Sequence, residues 1–243
     1  MKHLVLLGGG HAHLFVLQRL VQLRGSLSVT LVSPCRWHYY SGMLPGWIAG
    51  HYSLAQCRID LQALASAAGI RFIQARANSI DAARSNVTTD TGEQLVYDLL
   101  SLDTGSDTRM DELQGLEGLL PVKPLHSFIS GWERIVEAMA RQDTARRWRL
   151  AVVGGGAAGV ELALAVRHAL AEKCHVSLVA GESGVLAGNA KRLRMQATVQ
   201  LRRAAIEIIG ADAQVRDGVL FAGRAVSVDT VFATTGPAAP AWL

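Results

Sequence analysis

The sequence predicts an α/β protein with two domains of the same design, each built on a parallel sheet. Two glycine-rich turns carry this prediction, one beginning at Gly8 and the other at Gly154. Each turn follows a short apolar run typical of a buried parallel strand and precedes a segment with helical periodicity. A repeated strand–turn–helix order indicates parallel strands joined by right-handed crossovers. With 243 residues, the chain is long enough for two such domains.

The second turn matches the dinucleotide-binding fingerprint at all three glycine positions. Gly154 permits the tight turn, Gly156 lets the backbone approach a pyrophosphate, and Gly159 allows the helix to pack closely on the strand. The amino end of the helix then offers free N–H groups and a partial positive charge to phosphates. We predict a nucleotide site here, the alternative being a glycine turn kept for packing. Glu161 either holds a nicotinamide carboxamide or is an acid that faces the helix dipole.

The first turn departs from the fingerprint at its third position. Gly8 and Gly10 are present, but His13 replaces the third small residue. An imidazole there is expected to push the helix slightly away from its strand. By itself, this turn is as consistent with a packing turn as with a nucleotide site. His11 and His13 form a His-x-His pair, but a metal would compete with phosphate for the turn, so no metal site is predicted.

The acid expected about 20 residues after each turn, which would bind ribose hydroxyls, is absent from both halves. Ser33 follows the first of these strands, at residues 29–32. Ala180 and Gly181 follow the second, and Glu182 is the nearest acid. Neither strand end carries an arginine that would favour a 2′-phosphate. The choice between NADH and NADPH therefore stays open.

The remaining elements follow in the same order in both halves, as expected for a Rossmann-like repeat. Predicted in the first half are a helix after the turn, strands at 29–32 and 69–73, a meander turning at 90–92 and a strand at 99–102. Predicted in the second half are a helix at 158–172, strands at 176–179 and 206–209, a meander turning at 217–218 and a strand at 230–233. Residues 127–142 have the spacing of an amphipathic helix. We predict domains at residues 1–115 and 116–243, the second introduced by that helix.

Charge and cysteine content narrow the class of protein. The formal charge is +4, but the basic residues are mostly dispersed, so a nucleic-acid partner is not predicted. The three cysteines are isolated and odd in number, without a Cys-x-x-Cys pair, which argues against a disulfide framework or a thiol relay and favours a cytoplasmic location. No apolar run reaches about 18 residues, so no transmembrane segment is predicted.

Longer phrases resemble a known family over essentially the whole chain. Thr104-Gly105 and Thr235-Gly236 stand where the two-dinucleotide-binding-domain flavoproteins, the pyridine nucleotide–disulfide oxidoreductase superfamily, close each nucleotide lobe. Within it, the chain is similar to type II NADH dehydrogenases and sulfide:quinone oxidoreductases. It most resembles the flavin domains fused to selenide, water dikinases. That likeness rests on the phrases at residues 8–13, 40–46, 48–52 and 235–243.

The resemblance implies FAD and NAD(P)H as cofactors, in two Rossmann-like three-layer domains, each with a parallel sheet and a β-meander. Hydride would pass from NAD(P)H to FAD and then to an unidentified acceptor, without an assigned catalytic acid or base. The implied FAD-binding residues are Gly8, Gly10, His11, Ala12, Ser33, Pro34, Ser41, Gly42, Met43, Thr104 and Gly105. The implied NAD(P)-binding residues are Gly154, Gly156, Ala157, Gly159, Glu161, Thr235 and Gly236.

The same resemblance indicates that parts of the family's design are missing. Family members return to the flavin lobe after the nicotinamide lobe and then add a further domain, so we expect this chain to be C-terminally truncated. The implied partners are a small-molecule or quinone-like electron acceptor and, as a homodimer, a second copy of the chain. A full-length protein is expected to lie at the inner face of the membrane. The alternative function is a non-catalytic nucleotide-binding module related to selenium metabolism.

Overall fold

The computed structural model describes residues 1–22, 27–141 and 146–243. Its strands are, in chain order, β1 (Lys2–Leu7), β2 (Leu27–Ser33), β3 (Trp37–Tyr39), β4 (Arg58–Asp60), β5 (Arg71–Gln74), β6 (Ala77–Asp81), β7 (Asn86–Thr89), β8 (Gln94–Val96), β9 (Leu99–Leu102), β10 (Asp107–Thr108), β11 (Leu119–Pro121), β12 (Trp148–Val153), β13 (Cys174–Val179), β14 (Glu207–Ile209), β15 (Gln214–Arg216), β16 (Val219–Ala222), β17 (Arg224–Val226), β18 (Thr230–Ala233) and β19 (Pro237–Ala238). The α-helices are α1 (His11–Leu20), α2 (Leu44–Ile48), α3 (Leu61–Ala68), α4 (Leu125–Arg141), α5 (Ala157–Leu170) and α6 (Lys191–Arg203). Four 3₁₀ helices span Ser41–Met43, Leu54–Cys57, Asp111–Leu113 and Ala171–Lys173.

The described residues form two compact units. The first comprises residues from 1–40, 58–106 and 239–243, and the second comprises residues from 41–57 and 107–238. The last segment therefore returns to the first unit, where Trp242 packs against the apolar cluster beneath the sheet. The domain limits expected from the sequence, 1–115 and 116–243, stay a prediction.

The first unit has three layers around a parallel sheet of order β5-β2-β1-β9. Successive side chains of a strand point to opposite faces of the sheet, so β1 contributes side chains to the apolar clusters on both faces. Leu6 belongs to a buried cluster with Leu17 of α1 and Leu61 of α3. Val5 belongs to another cluster with Val87 of the antiparallel meander β6-β7-β8. Burial on both faces explains why β1 is apolar throughout its second half.

The second unit repeats this design around a five-stranded parallel sheet of order β11-β18-β12-β13-β14. One face packs on the meander β15-β16-β17, where Val153 and Leu220 share a buried cluster. Helix α5 packs against β12 and β13, and α4 brings Phe128 against Phe232 of β18, with ring centroids 5.2 Å apart. The predicted α/β class, with parallel sheets and meanders, is confirmed.

Several element limits differ from the sequence expectations by a few residues. The amphipathic helix begins at Leu125 rather than residue 127, and residue 142, its expected end, lies outside the described residues. The helix expected to reach residue 172 ends at Leu170 and continues as a 3₁₀ turn. Among the described residues, no helix combines the length and the apolar character needed to cross a bilayer.

Candidate nucleotide-binding turns

Both glycine turns leave their sheets at the same place in the topology. The Gly8 N–H donates to the Val32 carbonyl at 2.8 Å, and the Gly154 N–H donates to the Val179 carbonyl at 2.9 Å. Each turn thus follows a strand that has a parallel neighbour on both sides. This is the carboxyl edge of a parallel sheet, where strand order reverses and ligands of α/β proteins bind.

The three glycines of the second turn lack side chains for different structural reasons. Gly154 has a φ of +127°, and a Cβ on it would overlap the Thr234 carbonyl. A Cβ on Gly159 would overlap the Gly154 carbonyl, so this glycine sets the close contact of α5 with the turn. Gly156 has a φ of −74°, and no atom of the described residues lies within 4 Å of an added Cβ. The protein fold therefore needs Gly154 and Gly159, while Gly156 leaves open space above the turn.

The start of α5 can hold an anion. Its N-cap residue, Gly156, has no side chain to cap the helix. Among the described residues, the N–H groups of Ala157 and Ala158 donate to no acceptor, as expected for the first turn of a helix. Free N–H groups and the positive end of the helix dipole favour a phosphate at this position.

Thr235 and Gly236, the other predicted residues of this strand edge, lie close to the turn. Thr235 lines the same cleft as Gly154. The Gly236 carbonyl accepts from the Arg109 N–H at 2.9 Å, beside the short pairing of β10 with β19. Glu161 is exposed on α5, and no hydrogen bond of its side chain is seen within the described ranges. Its role toward a nicotinamide stays a prediction.

The first turn is contacted by Asp103, which follows β9 and was not among the residues predicted from the sequence. The Asp103 carbonyl accepts from the Gly10 N–H at 3.1 Å, and its carboxylate accepts from the His13 N–H at 3.0 Å. A Cβ on Gly10 would overlap this carboxylate. An acid immediately before Thr104-Gly105 was the available signal. Asp103 therefore places a negative charge at the start of α1, while the N–H groups of His11 and Ala12 have no acceptor in the described parts of the chain.

His13 is built into the protein interior, with 1% of its surface exposed. Its Nδ1 lies 2.7 Å from the Gly8 carbonyl, which only accepts, so Nδ1–H is the donor. In the neutral imidazole, Nε2 then accepts from the Ser101 hydroxyl at 2.9 Å. In the first unit, hydrogen bonds through an imidazole thus take the place of the direct contact that Gly159 makes in the second.

Replacing His13 with alanine is expected to destabilise the protein by about 3 kcal/mol, because two buried polar groups lose partners and a cavity remains. Chemical denaturation would measure this free energy of unfolding. Phe15→Ala provides the control on the same helix, since Phe15 is 69% exposed and its loss should cost less than about 0.5 kcal/mol. Equal stabilities of the two variants would contradict the structural role of His13.

A cluster of rings lies against the first turn. The rings of His11 and His38 are 4.7 Å apart, and those of His11 and Tyr40 are 5.2 Å apart. Burial lowers the pKa of His38, and the neighbouring His11 lowers it further. The Nε2 atom of His38 is buried and has no hydrogen-bond partner among the described residues. Within residues 1–22, 27–141 and 146–243, no three His, Cys, Asp or Glu side chains are grouped as metal ligands.

The other predicted FAD residues fall into two groups. Ser33 ends β2 and Pro34 follows it, while Thr104 and Gly105 come shortly after β9. The register of β1 with both strands brings these chain segments to the edge that carries the first turn. The Ser33 hydroxyl donates to the Cys35 carbonyl at 3.0 Å. By contrast, Ser41, Gly42 and Met43 form a 3₁₀ helix that belongs to the second unit. Their flavin-binding roles stay predictions.

The cysteines are free, and two of them are protected. Burial raises the pKa of the Cys174 thiol to about 12 and raises that of Cys57. The thiolate is the reactive form of cysteine, and a raised pKa disfavours it, so neither thiol is activated for disulfide exchange.

Comparison with known proteins connects these turns to a family. Residues 2–240 match the sequence model of the pyridine nucleotide-disulphide oxidoreductases. A sulfide-quinone reductase of Aquifex aeolicus is 31% identical over 104 residues, covering 43% of this chain and 24% of that protein. An NADH dehydrogenase-like protein of Mycobacterium tuberculosis is 29% identical over 173 residues, covering 67% and 42%. This chain therefore spans less than half the length of either relative.

Comparison of the fold with solved structures also finds similar oxidoreductases. The structure of NDH2 from Plasmodium falciparum in complex with NADH superposes with a TM-score of 0.83 at 15% identity, covering 98% of this chain and 56% of that one. The narrower likeness to flavin domains fused to selenide, water dikinases stays a prediction. The family match spans nearly the whole sequence and includes both turns, and the chain therefore belongs to the pyridine nucleotide-disulphide oxidoreductase family.

Proposed function

We propose that this chain forms the two nucleotide-binding units of an FAD-dependent oxidoreductase that takes hydride from NAD(P)H and passes electrons to an acceptor. The NADH complex of the structurally similar NDH2 supports the nicotinamide part of this proposal. The matched regions cover less than half of each relative, so the hydride-transfer activity of the whole protein is proposed as well.

The observation that carries the proposal is the open space at Gly156. Folding explains why Gly154 and Gly159 lack side chains, but nothing in the described residues contacts a Cβ at Gly156. A glycine that the fold does not need, above unpaired helix-start N–H groups, fits a backbone that a pyrophosphate approaches. The residues of the second turn therefore fit a bound dinucleotide.

The residues of the first turn fit FAD in a modified way. The N–H groups of His11 and Ala12 are available to a diphosphate, while Asp103 holds the Gly10 and His13 N–H groups. Bound flavin would supply the hydride chemistry, and the protein would orient the reacting groups and keep water away. The partly buried His38, whose pKa is lowered by burial, would lie beside this turn next to His11.

The acceptor is proposed to be a small molecule or a quinone, because one relative is named as a sulfide-quinone reductase. A quinone dissolved in lipid would require the full-length protein to lie at the membrane surface. The cytoplasmic location and the homodimer stay predictions. The alternative function, a non-catalytic nucleotide-binding module, is distinguished from an enzyme by the experiment that follows.

The absorption spectrum of the purified chain, recorded without oxygen before and after addition of NADH or NADPH, tests the proposal. Bands at about 450 nm that bleach on addition are the expected result, because a flavin reduced by a nicotinamide loses them. Turnover with an artificial dye acceptor would then separate an enzyme from a binding module. A colourless protein that takes up no added FAD would contradict the proposal.

A further inference from the structure

Beside the second glycine turn lies a cleft of about 510 Å³, within the size range of small-molecule sites. It is contained in the second unit and is lined by the ends of β12 and β13, the loop after β14 and the 3₁₀ helix at residues 111–113. Its lining includes Gly154, Ala180, Gly181, Asp212 and Glu112. The cleft thus extends from the predicted pyrophosphate turn across the neighbouring strands, where the adenosine half of a dinucleotide lies in this fold class.

The end of β13 lacks the usual ribose-binding acid. The strand ends at Val179 and continues with Ala180, whose methyl group cannot accept a hydrogen bond. Gly181 then turns the chain with a φ of +72°. A ribose above this position finds no carboxylate on the strand where the fingerprint places one.

A carboxylate reaches this place from the adjacent strand. Val179 pairs with Ile209 at the end of β14, so the loop that follows β14 emerges at the same sheet edge. In that loop, Asp212 Oδ1 accepts from the Glu182 N–H at 3.1 Å. The same oxygen would lie 2.8 Å from a Cβ on Gly181, which shows how closely the carboxylate covers the turn.

The second oxygen of Asp212 remains available. In the described part of the chain, no hydrogen bond or ion pair engages Oδ2, and Asp212 is exposed. Glu112 lines the same cleft, and Glu182 lies on the adjoining turn, so the local charge is negative. The guanidinium of Arg194, which would lie 3.6 Å from a Cβ on Gly184, donates to the carbonyls of Val185 and Ser183. A ribose diol can donate to Oδ2, whereas a 2′-phosphate would meet like charge.

We propose that Asp212, from the loop after β14, replaces the missing acid of β13, binds the adenosine ribose and makes this unit select NADH over NADPH. The inference rests on the proposed function, because it takes the cleft to hold the adenosine half of the nicotinamide nucleotide. The competing role for Asp212 is structural, a cap on the Glu182 N–H alone.

Asp212→Asn separates these roles. Asparagine keeps an oxygen at the position of Oδ1 for the Glu182 N–H but removes the negative charge. Asp217→Asn is the matched control, because Asp217 is exposed, lies outside the cleft and has a φ of +50° that asparagine tolerates. Thermal unfolding of both variants would show whether the cap is preserved.

Titration calorimetry with NAD⁺ and with NADP⁺ on the full chain is the test. We expect the parent to bind NAD⁺ at least about tenfold more tightly, and Asp212→Asn to lose about tenfold in NAD⁺ affinity while gaining for NADP⁺. Asp217→Asn should match the parent. An unchanged preference in Asp212→Asn, or a parent that prefers NADP⁺, overturns the assignment of Asp212 alone. Absence of binding of both dinucleotides, or unweakened binding by Gly156→Val, overturns the proposed function as well.

Discussion

Replacing Gly156 with valine is expected to weaken NADH binding by about 100-fold or more, roughly the loss of two hydrogen bonds to charged groups. The valine side chain would occupy the space above the helix start, where we propose that the pyrophosphate binds. The backbone accepts this change, because Gly156 has a φ of −74° and no atom in the described part of the chain lies within 4 Å of an added Cβ. Fluorescence titration with NADH would measure the affinity, and the melting temperature should change little.

Gly159→Ala is the control that distinguishes a side chain that blocks the ligand from one that disturbs packing of the protein. Its Cβ would overlap the Gly154 carbonyl, so α5 must move away from the turn, and we expect a destabilisation of about 3 kcal/mol. A stable Gly156→Val chain with weak NADH binding, beside a destabilised Gly159→Ala chain, is the expected pair of results. If Gly156→Val bound NADH as tightly as the parent, the assignment of the second turn as the NADH pyrophosphate site would be wrong.

Replacing Gly10 with valine is expected to yield a colourless protein, with FAD content reduced by at least about tenfold. The side chain would enter the approach to the first turn, and it would also collide with the carboxylate of Asp103. Absorbance after purification in the presence of excess FAD would measure the flavin-to-protein ratio. Gly10→Val with stoichiometric FAD would contradict the first site.

Adding Asp103→Ala to Gly10→Val distinguishes the two causes of this loss. The double variant removes the collision but keeps the valine in the path of the diphosphate. FAD should therefore remain absent if the turn binds the diphosphate. Recovery of the flavin would instead mean that the displaced Asp103 was responsible, and that Gly10 is needed only for packing against it.

Much of the fold was predictable from local sequence. Apolar runs before Gly8 and Gly154, with glycines at fixed spacing, determine strand, turn and helix through steric limits that act within a few residues. The order of these units determines a parallel sheet, because right-handed crossovers allow few alternatives. The pairing of β3 with β4 and the return of Trp242 to the first unit were not predictable in this way, because they depend on contacts between residues far apart in the chain.

The chemistry at the edges of the sheets was decided by the tertiary structure. Asp103 and Asp212 each act on a chain segment that follows another strand, at Gly10 and at Gly181, so their contacts are not local in sequence. His13 appeared in the sequence as a defect in a fingerprint, yet its hydrogen bonds to Gly8 and Ser101 make it part of the interior. The sequence by itself determined where the two glycine turns stand, since turn geometry is local. Only the packed sheets decided which carboxylates face those turns, since strand order brings together residues far apart in the chain.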